Sequence, residues 1–217
     1  MEDSRYIKTG AGMEQKLILS EREAVLVLER ISKIKDASMG NHSLRTGHYA
    51  RLIAENIGMS EEEQDIIFHA AQIHDIGNVA ISDKILFKPG KLTDEEFKIV
   101  MGHTIEGHRF LKDRENRYFK AASIIALTHH ERLDGSGYPS GLSGDDIPMW
   151  GKIMAVVDVF DALTSKGPYR EPWNIADAAA LLIKNKGVLF EPRFVDIFTL
   201  KLDRVNEIRI GLSDSQL

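Results

Sequence analysis

Ser60-Glu-Glu-Glu63-Gln-Asp-Ile66-Ile67-Phe-His-Ala70-Ala71-Gln-Ile73-His74-Asp75 begins with a serine three residues ahead of a glutamate and continues with apolar residues at helical spacing. The Ser60 hydroxyl can accept from the Glu63 amide while the Glu63 carboxylate reaches back to Ser60, a capping box that opens a helix. Ile66, Ile67, Ala70, Ala71 and Ile73 then share one face, and His74, at i+7 from Ile67 and i+4 from Ala70, falls on that apolar side. The His74-Asp75 pair is therefore driven inward. A buried imidazole beside a buried carboxylate is costly unless both find partners, and either a hydrogen-bond network or a metal ion would serve.

The same pattern recurs along the chain. Ser20-Glu-Arg-Glu23 precedes Ala24, Val25, Leu28 and Ile31, and Thr93-Asp-Glu-Glu96 follows the turn Lys88-Pro-Gly-Lys91. Residues 41–57, 121–131, 150–164 and 174–185 repeat the 3.6-residue period, whereas alternating strand patterns are nearly absent. The sequence predicts an all-α helical bundle, with a linker or N-terminal tail over 1–19 and one domain over 20–217. Two Gly/Pro-rich segments, 134–148 and 165–172, read as irregular loops, and the first is long enough to border a site.

Composition narrows the chemistry. There is no cysteine, which removes disulfides, thiolate zinc sites and cysteine nucleophiles. The net charge of −5, without a basic block, disfavours a protein that grips polymeric nucleic acid. No apolar run reaches the roughly 20 residues of a membrane span and the start lacks a signal-peptide core, so the expectation is a cytoplasmic chain without membrane contact. All eight histidines lie between His42 and His130.

Those histidines fall beside carboxylates. His129-His130 end an apolar helix; side chains of adjacent helical residues point about 100° apart, so both reach one centre only at a helix end, which the Gly-rich loop supplies. Asp158 and Asp161 sit in Ile153-Met-Ala-Val-Val-Asp-Val-Phe-Asp-Ala-Leu163, apolar on almost every face, so both need cations or strong donors. Pairing with an arginine or capping a helix would satisfy Asp161, whereas Asp158 is the better ligand. His42 on the second helix and His103 near the middle of the third complete the set. Taken singly, each is as well explained as an ordinary core or surface residue. Together they form an imidazole–carboxylate set suited to iron, manganese or zinc, and two such ions polarise a phosphoryl group and lower the pKa of water.

His74-Asp75-Ile-Gly77, Ile81-Ser-Asp83-Lys-Ile-Leu86-Phe-Lys-Pro-Gly90-Lys-Leu-Thr93, His129-His-Glu-Arg-Leu-Asp134-Gly-Ser-Gly137-Tyr138-Pro139 and Asp158-Val-Phe-Asp161-Ala-Leu-Thr164 occur in the order of one family's motifs. Over about residues 21–200 the chain resembles the HD-GYP family, the cyclic di-GMP phosphodiesterase branch of the HD superfamily. The resemblance implies an HD-domain-like bundle with an irregular GYP loop. Its metal ligands fall on His42, His74, Asp75, His103, His129, His130 and Asp158. Asp75 would bridge two divalent ions, iron or manganese with zinc as a third option, and Asp75 and His74 would be central to catalysis. It also implies attack by a bridging water or hydroxide on a phosphorus of cyclic di-GMP, giving linear pGpG or GMP. Gly135, Gly137, Tyr138 and Pro139 would shape the pocket-side loop, which in the family also recognises partners such as GGDEF-domain proteins.

Three positions depart from the family. A glutamate that holds a third ion in some members is Ser38 here, so two ions are expected. The lysine of HDIGK is Asn78, and the arginine of the RPY(K/R) segment is Gly167. Arg170 keeps the last basic position of that segment, and Lys166 is the nearest replacement for the arginine. Expected substrate contacts are Asn78, Lys166, Arg170, Gly137 and Tyr138. A charge-assisted contact contributes roughly 1.5–3 kcal/mol, so losing two cations would weaken substrate capture or change which dinucleotide fits. A catalytically weak, metal-containing signalling domain and a hydrolase of another cyclic or linear dinucleotide are the alternatives.

Overall fold

The computed structural model describes residues 3–36, 41–166 and 171–214, so Ser38, Gly167 and Arg170 lie outside the described residues. Eleven α-helices follow one another among those residues: α1 (Asp3–Lys35), α2 (His42–Asn56), α3 (Glu61–Ala71), α4 (Asp83–Leu86), α5 (Asp94–Met101), α6 (His103–Leu111), α7 (Arg117–Thr128), α8 (Met149–Thr164), α9 (Ile175–Lys184), α10 (Pro192–Leu200) and α11 (Leu202–Gly211). A 3-10 helix, Ile76–Ala80, follows α3. No strand forms among the described residues; only isolated bridges join Asp134 to Ser143 and Lys186 to Phe190. The all-α expectation holds.

Helix α8 is the axis, as its sequence requires. Ile153, Met154, Ala155, Val156, Val157 and Phe160 are all buried, and α8 packs against α2, α7, α9 and α10. Phe160 meets Tyr49 of α2 and Phe198 of α10 edge to face, with ring centroids 5.9 and 5.0 Å away, a geometry that ring quadrupoles favour. An apolar helix wrapped on nearly all sides leaves Asp161 no solvent to face and Asp158 little.

Both capping boxes at Ser60 and Thr93 form as expected. Three boundaries differ from the sequence reading. The helix expected to open at Ser20 runs continuously from Asp3, because Met13-Glu-Gln-Lys-Leu-Ile-Leu19 are mostly strong helix formers and carry the helix through the box. Helix α3 stops at Ala71, so His74-Asp75 lie in a turn rather than on the helix. There the amides of Gln72, Ile73 and His74 bond to carbonyls three residues back, each at 3.3 Å, the tighter winding of a 3-10 turn. The helix begun at Thr93 breaks at Gly102, and His103 is the first residue of α6 rather than the middle of a longer helix. Helices α10 and α11 lie in a stretch without a side-chain N-cap and were not anticipated.

Close backbone approach fixes the middle of the bundle. A Cβ on Gly77 would sit 1.8 Å from the His103 carbonyl oxygen and 2.6 Å from the Gly107 amide nitrogen. Only glycine lets the 3-10 helix lie on the first turn of α6, and this brings Asp75 and His103 together.

Candidate metal centre

Five elements deliver the polar side chains to one place: the start of α2 (His42), the turn after α3 (His74, Asp75), the start of α6 (His103), the residues just past α7 (His129, His130) and the middle of α8 (Asp158). They form two groups. His42, His74 and Asp158 offer ligand atoms within 4.8 Å of one another, and Asp75, His103, His129 and His130 do the same. All seven expected ligands are thus brought together. The other three histidines are not: His48 packs on Phe68, His69 on Tyr118, and His108 donates to the Ser123 carbonyl.

Asp75 stands between the groups. Its Oδ2 is 3.7 Å from His74 Nε2, while its Oδ1 is 3.2 Å from His103 Nε2 and 3.4 Å from His129 Nε2. In the first group, Asp158 Oδ1 lies 3.5 Å from His42 Nε2 and 3.6 Å from His74 Nε2.

The outer ring nitrogens reveal the chemistry of the inner ones. His74 Nδ1 is 2.8 Å from the Ala71 carbonyl, His103 Nδ1 is 2.7 Å from that of Val100, and His129 Nδ1 is 3.0 Å from those of Ile125 and Ala126. His42 Nδ1 is 2.8 Å from Asp161 Oδ2. A carbonyl or carboxylate only accepts, so each Nδ1 carries a proton, which leaves Nε2 as the nitrogen each ring turns to the centre. His103 Nε2 and His129 Nε2 then face each other at 3.3 Å with Asp75 Oδ1 close to both. Imidazole nitrogens and carboxylates converging in this way need positive charge among them, carried either by protons on the rings or by bound cations. Consistently, His74 Nε2 and Asp75 Oδ1 are buried without a hydrogen-bond partner. Imidazole and carboxylate ligand groups, the inward Nε2 atoms and these orphaned atoms fit divalent metal binding.

Electrostatics agree. Burial lowers the basicity of His74, but Asp75 and Asp158 outweigh it and hold the imidazole up at about 9. Burial raises the Asp75 and Asp158 carboxyls, but the surrounding histidines leave both well below the usual carboxylate range. Burial and the neighbouring His129 push His130 down to about 2, so it offers a free lone pair at any ordinary pH. The pocket favours positive charge at its centre.

Asp161 satisfies itself structurally, as expected: its oxygens accept from buried Arg45 at 2.7 and 2.9 Å. It also holds His42, which sequence reading missed because the 119 residues between them give no local signal. Glu131 was missed as well. Its carboxylate, 1% exposed, accepts from the Ser140 and Leu142 amides at 2.9 and 3.0 Å and so ties the far end of the GYP loop to the ligand segment. The one available signal was its position beside His130.

The expected substrate contacts spread more widely. Tyr138 is half-buried, its ring 4.6 Å from that of His130 and tilted by 31°. Gly137 packs on backbone: a Cβ there would lie 2.5 Å from the His130 carbonyl oxygen and the Arg132 amide nitrogen. Half-buried Asn78 belongs to the 3-10 helix, its amide bonded to the Asp75 carbonyl at 2.9 Å. Lys166 is exposed, lines a surface pocket with Arg45, Arg209 and Asp214, and belongs to neither ligand group. Among the described residues no helix is long and apolar enough to cross a membrane.

A family model described as HD domain matches residues 26–194. The cyclic di-GMP phosphodiesterase response regulator RpfG of Xanthomonas campestris is 44% identical over 203 residues, covering 90% of this chain and 54% of RpfG. The 3'3'-cGAMP-specific phosphodiesterase 2 of Vibrio cholerae is 40% identical over 195 residues, covering 90% of this chain and 37% of that protein. The chain thus spans about half the length of RpfG and less of the Vibrio enzyme. Bd1817, an HDG"Y"P protein from Bdellovibrio bacteriovorus, shares the fold with a TM-score of 0.60 at 17% identity, covering 86% of this chain and 62% of that one.

Proposed function

The chain belongs to the HD domain family, and from its two abutting ligand groups we propose that it is a metal-dependent phosphodiesterase that hydrolyses cyclic di-GMP to pGpG, GMP or both. The observation that carries this reading is Asp75, whose two oxygens face different ligand groups. Two divalent cations, iron or manganese before zinc, would be held by His42, His74 and Asp158 on one side and by His103, His129 and His130 on the other, with Asp75 shared. When bound, such a pair supplies polarisation of a phosphoryl group and a lowered pKa for water.

The protein's own part is to hold the donors in place. The carbonyls of Ala71, Val100, Ile125 and Ala126 and the Asp161 carboxylate keep four imidazoles in the ligating tautomer. Burial of His74, His103 and His129 keeps bulk water from competing. Tyr138 covers His130 at the edge where substrate enters, and Asn78, Gly137, Lys166 and Arg170 are assigned to its sugar–phosphate ring. Residues 20–217 form the catalytic unit of this reading, with 1–19 as a tail, the GYP loop as the surface for GGDEF-domain partners, and a cytoplasmic location, where a diffusible nucleotide signal is consumed.

The test is direct. Protein loaded with iron or manganese should convert cyclic di-GMP to pGpG or GMP, resolved by chromatography, and no turnover by fully loaded protein would overturn the proposal. A second reading, a mixed cyclic dinucleotide as the preferred substrate, is favoured by Asn78 in place of lysine and by the 40% identity to a cGAMP-specific enzyme. Comparing kcat/KM across cyclic di-GMP, cGAMP and pGpG separates the two.

A further inference from the structure

We propose that Phe97 is a stacking platform for one purine of the substrate; this deepens the cyclic-dinucleotide reading and rests on it. Phe97 lies on α5 with 47% of its surface exposed. Its ring centroid is 6.1 Å from that of Tyr138, the two planes at 80°. Tyr138 in turn lies 4.6 Å from His130, its plane tilted by only 31°. A series of rings therefore leads from a member of the second ligand group outward to a solvent-facing phenyl.

The chemistry of a cyclic dinucleotide matches that series. Each phosphate is flanked by sugars bearing purines, so a phosphate seated at the ligand groups carries a base one sugar's length away. Phe97 and Tyr138 stand nearly perpendicular and form a corner. A purine lying flat on Phe97 would meet Tyr138 edge to face, an arrangement that aromatic quadrupoles favour. Stacking is indifferent to the identity of the base, because every base has a π-face, and it covers apolar surface that otherwise meets water. This contact also adds affinity that owes nothing to the phosphate-facing cations missing at Asn78 and Gly167.

The experiment uses the metal-loaded full chain with Phe97→Ala, Phe97→Leu and Phe97→Trp, and cyclic di-GMP as the probe. Alanine substitution at a base-stacking position costs about 1–3 kcal/mol, equivalent to a roughly 5- to 140-fold loss at 1.4 kcal/mol per tenfold. We expect Phe97→Ala to raise KM by that factor with metal content unchanged. Leucine should not restore affinity, since it returns apolar volume without a π-face, whereas tryptophan should. The tryptophan variant should also show emission quenched by cyclic di-GMP beyond any change in the parent protein, which contains Trp150 and Trp173. Wild-type KM in the alanine variant, full rescue by leucine, or loss of metal in the alanine variant would each overturn the proposal. A parent protein that turns over cyclic di-GMP while Phe97→Ala is unaffected removes the platform and leaves the phosphodiesterase standing; a parent that neither binds nor hydrolyses any cyclic dinucleotide removes both.

Discussion

Asp161 Oδ2 lies 2.8 Å from His42 Nδ1, and the same carboxylate accepts two bonds from buried Arg45. Burial pushes the Asp161 carboxyl up, but His42 and Arg45 together hold it below the ordinary range. One side chain thus aims a ligand and neutralises an interior cation. Asp161→Asn should weaken metal binding by about 10- to 100-fold, the usual cost of losing a ligand's hydrogen-bonded support, read by chelator competition. It should also destabilise the fold, by less than the roughly 3–5 kcal/mol of a buried charge left alone, because Arg45 loses its buried partner but keeps Asp214 at 2.9 Å. Unchanged chelator resistance would show that Asp161 serves Arg45 alone.

Asp75 and Asp158 should separate the two ligand groups. Asp75→Ala, which removes the shared carboxylate, should abolish binding of both cations, whereas Asp158→Ala touches only the His42–His74 group and should leave about half the metal in elemental analysis. Equal losses in the two variants would contradict an independent second group.

Glu131 predicts a loop phenotype. Glu131→Ala removes the acceptor of the Ser140 and Leu142 amides, which belong to an exposed and a half-buried residue and so lose roughly 0.5–1.5 kcal/mol each, the net value of an ordinary hydrogen bond. Hydrogen exchange at those two amides should accelerate. Turnover should fall while metal stays bound, and exchange no faster than in the parent would remove Glu131 from this role.

At Asn78 the expectation runs in the favourable direction. Asn78→Lys should lower KM for cyclic di-GMP by roughly tenfold or more, since a charge-assisted phosphate contact contributes about 1.5–3 kcal/mol. Unchanged kinetics would mean that this position does not meet the substrate.

The attachment of α1 carries a pH signature. Burial raises the Asp65 carboxyl, but the Tyr118 hydroxyl at 2.7 Å and Arg22 of α1 outweigh it and leave it below its ordinary value. A depressed folded pKa contributes stability that is present above the unfolded value of about 4 and is lost as pH falls through the folded one. The stability gap between parent and Asp65→Asn in denaturant titrations should therefore be constant from pH 7 to 5 and close below about pH 4. A gap that persists at pH 3 would refute this.

What could be read from the chain alone follows a physical division. His74, Asp75 and Asp158 were legible because polar groups on apolar stripes announce that something must satisfy them, and His129 and His130 because they end an apolar helix beside a Gly-rich loop; His42 and His103, weak when taken singly, joined the set through the family resemblance. The exact turns that hold them were not: His74 lies past the end of α3, where no Gly or Pro marks the change to three-residue bonding, and His103 opens a new helix after Gly102, a residue a helix can also run through. The partners of His42, and the two amides that Glu131 captures, are tertiary facts without periodicity. Lys166, which the family resemblance alone suggested, lines a surface pocket with Arg45, Arg209 and Asp214, and no local pattern indicates that position.

The carbonyls that orient His74, His103 and His129 belong to residues only three or four positions upstream. The bearing of each ring is therefore inherited from its own short segment, and the bundle supplies only the meeting point. Three peptide fragments of half a dozen residues, grafted onto an unrelated helical scaffold at the same relative placement, would carry their aim with them, which makes this centre portable to design in a way that His42, steered from another helix, is not.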